Sequence, residues 1–152
     1  MIIICGLPGS GKTTLSKKLV EKLGLEYFND WGLIKENISI EDFVVQNKSK
    51  NIVLDLDYAN SKIGYFFDGN IETIYLGFNR QDKNFLVEKF SKSYPYKKLE
   101  EIEDIVEKSL VLSELYEKEC NKRDLKFYYI SKDRDVLLER IFNELRNEIE
   151  AN

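Results

Sequence analysis

Gly6-Leu7-Pro8-Gly9-Ser10-Gly11-Lys12-Thr13 is the stretch on which the reading of this chain turns. It fits G-x-x-x-x-G-K-[ST] at every position. Ile2 to Cys5 stand before it, a continuous apolar run that reads as a buried strand. Helical spacing follows at Leu15, Leu19, Val20 and Leu23, and Gly24 sits where a helix-ending left-handed residue belongs. A glycine loop between strand and helix wraps backbone N–H groups around phosphate oxygens. The helix aims its positive dipole end at the same anion. Gly6, Pro8, Gly9, Ser10 and Gly11 form the loop, Lys12 can reach the β- and γ-phosphates, the Thr13 hydroxyl can ligate Mg²⁺, and Thr14 can add a phosphate hydrogen bond.

Outward from the loop, Leu25 to Phe28 reads as a second short strand, and Ser39 with Asp42 three later opens a short helix carrying Phe43, Val44 and Val45. Ile52-Val53-Leu54 marks a third strand over 51–56, and Ile71 to Leu76 a fourth. Residues 58–70 carry no clear period, apart from a turn at Asp68-Gly69-Asn70. Phe85, Leu86 and Phe90 have helical spacing. A long helix over 97–121 is expected to bury Leu99, Ile102, Ile105, Val106, Leu112 and Tyr116. Leu125 to Ile130 is a fifth strand. Val136, Leu137, Ile141, Phe142, Leu145 and Ile149 make a closing amphipathic helix. Strands alternating with helices imply an α/β fold, a parallel sheet covered on both faces. Ligands then bind beyond the carboxyl ends of the strands. Gly6 to Thr13, Asp30, Asp55 to Asp57, Asn79 to Arg80 and Ser131 to Asp135 all fall on that rim.

Composition narrows the chemistry. The chain has 152 residues, 43% hydrophobic and 33% charged, which predicts one globular domain over 1–152. It has no histidine, which removes Ser-His triads, Cys-His proteases and His-ligated zinc. Cys5 and Cys120 are too few for a disulfide framework and are expected as packed, reduced thiols in a cytoplasmic protein. No apolar run is long enough to span a bilayer, and no signal-peptide pattern follows Met1. The net charge is −4, and residues 97–152 hold 11 basic and 15 acidic groups. A broad basic face for duplex nucleic acid is therefore not expected.

With the loop in place, the chain resembles the P-loop NTPases. It looks like their small kinase-like branch, which includes shikimate, gluconate and adenylate kinases and the kinase domain of polynucleotide kinases. The resemblance implies a three-layer α/β/α fold, a five-stranded parallel sheet of order 2-3-1-4-5 and a helical lid after the fourth strand.

The resemblance also gives roles to the rim. Ile52-Val53-Leu54-Asp55 resembles a Walker B strand, whose terminal acid holds the Mg²⁺ shell. Asp57, one pleat nearer the rim, can meet the metal or a substrate hydroxyl. Asp30 either orients and deprotonates the acceptor hydroxyl, as an acid here does in the resembling kinases, or caps a helix. Trp31 either walls the acceptor pocket or packs under the next helix. Arg80 begins the lid and is the candidate cation over the transferring phosphoryl group. Lys83, Lys89 and Lys92 follow it, either as further lid cations or as a solvated helix face. Arg134 either stacks on adenine or lies exposed beside a capping Asp133. Asn79-Arg80-Gln81-Asp82 loosely echoes the guanine motif of GTPases, but no switch motif accompanies it, so ATP with Mg²⁺ is the expected nucleotide.

Three functions compete. The first is an ATP-dependent kinase acting on a small hydroxyl compound, nucleoside or nucleotide. The second is a non-catalytic or weakly hydrolysing ATP-binding module, favoured by the presence of only five arginines. The third is a 5′-hydroxyl polynucleotide kinase. The acceptor pocket is expected from residues 30–48 and 58–66.

Overall fold

The computed structural model describes residues 1–58, 71–130 and 132–152. The expected turn at Asp68-Gly69-Asn70, the 59–66 part of the expected acceptor wall and Ser131 lie outside the described residues. Strand β1 (Ile2–Gly6) is buried along its whole length and forms the centre of the sheet. It leads through the glycine loop into α1 (Lys12–Leu23). Gly24 ends that helix at φ 67°, where its N–H donates to the Val20 carbonyl; this left-handed conformation costs glycine no Cβ clash. Strand β2 (Glu26–Asn29) follows, then α2 (Asp30–Lys35) and α3 (Ile40–Asn47). Ser39 caps α3 as its sequence suggests, accepting from the Asp42 N–H.

Strand β3 (Ile52–Asp57) and strand β4 (Glu72–Phe78) complete the inner sheet. A 3₁₀ turn (Arg80–Asp82) opens α4 (Lys83–Ser93), and α5 (Leu99–Lys122) is the longest helix described. Strand β5 (Lys126–Ile130) and α6 (Arg134–Ala151) close the chain.

The five strands are all parallel, in the order β2-β3-β1-β4-β5, with helices on both faces. Helices α1 and α6 pack together, as do α4 and α5. The register aligns the carboxyl ends. Gly6 stands beside Asp57 on one side and Leu76 on the other, and Asn29 stands beside Asp55. Strands β1, β2 and β3 thus end together at one rim, and β4 runs two residues past Leu76 on the same side.

Two helical stripes differ from their reading in sequence. On α5 the buried residues are Ile102, Val106, Leu110, Ser113 and Cys120, whereas Leu99 and Leu112 are exposed. Ser113 belongs inside because its hydroxyl accepts from the Phe78 N–H at 2.9 Å, where β4 ends. A polar residue at a core position is thereby satisfied. On α6 the stripe is Leu138, Ile141, Phe142 and Leu145, and Val136 faces outward. Val45 of α3 is likewise exposed. Both cysteines are free and buried, with thiols pushed above their ordinary pKa by burial. Among the described residues no helix is long and apolar enough to cross a membrane.

Candidate active site

The glycine loop takes its shape from two left-handed residues, Gly9 at φ 82° and Gly11 at φ 92°. At Gly11 a side chain would meet two obstacles, the positive φ and the Leu138 Cδ1 2.9 Å from its Cβ. Gly6 is tight for another reason. A Cβ there would stand 2.5 Å from Ser10 Oγ and 3.2 Å from the Leu76 carbonyl oxygen. Gly11 also precedes α1 without any side-chain cap, and no acid stands in the first turn of that helix. Its leading N–H groups and dipole therefore face the loop uncompensated. Ser10 Oγ is buried there with no hydrogen-bond partner among the described residues. Pro8, Gly9, Gly11, Lys12, Thr13, Thr14 and Arg134 enclose a cavity of about 230 Å³. An uncapped helix start, an orphaned hydroxyl and a cation-lined hollow together fit a polyphosphate.

The acids of β3 enter beside this loop. Lys12 Nζ lies 3.1 Å from Asp55 Oδ1 and 3.1 Å from Asp57 Oδ1. The Thr13 hydroxyl donates to Asp55 Oδ2 at 2.7 Å. Residues two apart on a strand share a face, so one ammonium can bridge both carboxylates. Asp55 is buried, while Asp57 keeps a side-chain exposure of 29% and opens to the rim. Burial works against the Lys12 charge, but the two carboxylates outweigh it and hold its pKa above the ordinary lysine value.

Tyr27 is a further member that sequence reading passed over. Its hydroxyl donates to Asp55 Oδ2 at 3.0 Å and accepts from Asn29 Nδ2 at 3.3 Å. The signal lay in strand alternation, which puts Tyr27 and Asn29 on one face of β2 beside β3. Burial pushes the tyrosine pKa up, the Asn29 hydrogen bond opposes it, and the Asp55 carboxylate adds to the rise.

Asp30 occupies the start of α2 and is 2% exposed. Asn29, not Asp30, caps that helix, accepting from the Gly32 N–H at 2.7 Å. One Asp30 oxygen accepts from the Trp31 N–H and the other from the Asp57 N–H, each at 2.8 Å. The second bond ties α2 to the end of β3 and fixes the backbone that carries Asp57. Asp30→Ala should leave two N–H groups without these acceptors and lower stability by about 1–3 kcal/mol. Denaturant unfolding of the variant measures that loss. Trp31 itself is 73% exposed, which goes against the alternative of packing under the next helix.

The lid residues separate. Arg80 is held by α5, with Nη1 2.7 Å from Glu107 and Nε 2.5 Å from Glu114. Lys83 also reaches Glu107, and Lys92 pairs with Glu88. Lys89, read in sequence as a lid cation or part of a solvated face, donates to the Gly9 carbonyl at 2.8 Å. Asn79 spends its side-chain oxygen on the Gln81 N–H, capping the 3₁₀ turn, which explains the echo of a guanine motif without a base. Asp133 makes no side-chain cap on α6, and Arg134 faces the loop cavity. A larger cleft of about 560 Å³ lies on the opposite rim, where the nearby acids Glu72 and Glu148 both pair with Lys126. No lysine or arginine is among its described lining residues.

Comparison with known proteins agrees with this fold. A family described as an AAA domain matches residues 2–151. A Thermococcus kodakarensis protein named "Putative adenylate kinase" is 36% identical over 69 residues, which is 45% of this chain and 36% of that protein. The chain thus matches little more than a third of that relative's length. Shikimate kinase from Acinetobacter baumannii in complex with shikimate aligns over 97% of this chain and 93% of its own, at 18% identity and TM-score 0.59. Deoxyadenosine kinase from M. mycoides, with products dCMP and dCDP bound, aligns over 97% and 100%, at 18% identity and TM-score 0.51. The two structural likenesses are of fold. The chain belongs to the AAA domain family that the match defines, and it is a P-loop NTPase of the kinase-like kind.

Proposed function

We propose that this protein is an ATP-dependent phosphotransferase that passes the γ-phosphoryl group to a hydroxyl of a small molecule, nucleoside or nucleotide. The observation that carries this reading is the meeting of Lys12 and Thr13, from the loop, with Asp55, from β3. The kinase names borne by the relatives support it. In the transfer, the acceptor oxygen bonds to the γ-phosphorus, the bond from phosphorus to the leaving ADP oxygen breaks, and the acceptor proton goes to a carboxylate or to water. Such chemistry is mostly positioning and charge neutralisation.

Each residue then has a task. Gly9, Gly11 and the first residues of α1 present N–H groups to the phosphates, and Lys12 neutralises their β- and γ-oxygens. Thr14 adds a phosphate hydrogen bond. Thr13 and Asp55 would hold Mg²⁺, which would supply positive charge against the phosphates. Arg134 offers its guanidinium plane to the base. Asp57, open to the rim, orients the acceptor hydroxyl, and the buried Asp30 acts through the Asp57 backbone that it holds. Arg80 reaches a phosphoryl group only by leaving Glu107 and Glu114.

That tethering of Arg80 is also the observation favouring a second reading, an ATP-binding module with little turnover. One assay separates the two. ADP release from Mg-ATP is measured alone and with AMP, other nucleoside monophosphates, nucleosides, shikimate, gluconate and a 5′-hydroxyl oligonucleotide. A kinase releases ADP faster with one acceptor class and forms its phosphorylated product. Turnover indifferent to every acceptor, with tight Mg-ATP binding, would favour the module. Stimulation by the oligonucleotide alone would favour a polynucleotide kinase.

A further inference from the structure

Lys89 stands on α4 between two buried anchors, Leu86 and Phe90. Phe90 meets the Phe78 ring edge-on, with centroids 6.1 Å apart, and lies 3.8 Å from where a Gly9 Cβ would stand. This packing seats α4 against the phosphate loop and directs Lys89 onto it, where Nζ donates to the Gly9 carbonyl at 2.8 Å. Arg134 lines the same loop cavity. Burial, and then the Arg134 charge, hold Lys89 below the ordinary lysine pKa. Two cations therefore approach one anion-shaped loop and repel each other there, and a bound polyphosphate would relieve that repulsion. The other cations at the start and end of α4 are engaged elsewhere: Arg80 and Lys83 with α5, Lys92 with Glu88.

We propose that Lys89 is the α4 cation that contacts the terminal phosphate of bound ATP, exchanging the Gly9 carbonyl for a γ-phosphoryl oxygen. The assignment deepens the proposed function and rests on its ATP reading. A carbonyl is a neutral acceptor, whereas a phosphoryl oxygen is charged, and hydrogen bonds with both partners ionised are markedly stronger. The four-carbon stem lets the ammonium make the exchange without moving the helix. In this arrangement Arg80 is an anchor. It ties the start of α4 to α5, and so holds Lys89 at the height of the loop.

Calorimetric titration with Mg-ATP and Mg-ADP tests the contact without any knowledge of the acceptor. Lys89→Met should weaken Mg-ATP about ten- to a hundred-fold and Mg-ADP by less than about threefold, because only ATP offers the terminal phosphate. Lys89→Arg should restore most of the preference for ATP. The methionine keeps an unbranched apolar stem beside Phe78 and Phe90, and Lys89→Gln carries the same test should the first variant fail to fold. Equal losses for the two nucleotides, or no loss for either, would overturn the Lys89 assignment and leave the ATP reading standing. A wild-type protein that bound neither nucleotide would overturn both.

Discussion

Replacing Lys12 by alanine should weaken Mg-ATP binding by about ten- to a hundred-and-fifty-fold, the equivalent of about 1.5–3 kcal/mol for a lost charge-assisted hydrogen bond. The same substitution should disturb the nucleotide-free protein. There, Lys12 is the cation between Asp55 and Asp57. Its removal leaves the buried Asp55 carboxylate facing its neighbour's negative charge. The folded-state pKa of Lys12 lies above its ordinary value. Its stabilising contribution is thus fully present below the unfolded lysine pKa of about 10.4 and is lost only as pH rises through the higher folded value. Across the neutral range the ammonium stays charged, so the affinity loss should not depend on pH between about 6 and 8. Calorimetry gives the affinity, and thermal unfolding without nucleotide gives the stability. Unchanged ATP affinity in a folded Lys12→Ala protein would remove the phosphate-loop reading altogether.

How much of this site is legible in the sequence depends on how local its causes are. The loop reads directly, because its glycines, Lys12 and Thr13 act within one short stretch of chain and sit between a strand and a helix. Asp55 and Asp57 read almost as directly, from an apolar run that ends in acids. Their contact with Lys12 follows once β3 lies beside β1, an order that the family resemblance implied and periodicity alone did not. Helix α2 stands in the sequence only as one alternative, the helix that Asp30 would cap. It is six residues long, contains Gly32, and is started by Asn29, so a turn explains Asn29 and Asp30 as well as a cap does. The staple from Asp30 to the Asp57 N–H joins residues 27 apart and depends on tertiary packing. Lys89 was hidden by the general rule that lysines on an amphipathic helix face water. Its position next to Phe90 and three after Leu86 put it on the margin of the buried stripe, and only the docking of α4 turns that margin toward Gly9. Arg80 shows the converse. Its place after β4 suggested a phosphate ligand, but α5 supplies two acids that claim it first.

Asp55→Asn should lower acceptor-stimulated turnover by about 10²–10³-fold, the size of losing one preorganised electrostatic contact in the transition state. The carboxylate accepts from Thr13 and Tyr27 at one oxygen and faces Lys12 at the other. An amide of the same shape keeps one acceptor but turns an NH₂ group toward a donor, and it removes the charge that Mg²⁺ would meet. Binding should therefore change in two opposite ways. With Mg²⁺ present, ATP affinity should fall, because the metal gains less from the site. With Mg²⁺ removed by chelation, the variant should bind ATP at least as tightly as wild type, because a negative charge beside the phosphates has gone. The gap between the two conditions, and not either affinity alone, identifies the metal-linked acid. Asp57→Asn should behave differently. Its carboxylate opens to the rim, so the gap should stay near the wild-type value while turnover with acceptor falls. The two assignments exchange if the gap closes in Asp57→Asn and persists in Asp55→Asn. A wild-type gap in both variants, with turnover unmoved, would instead support a binding module in which neither acid serves transfer.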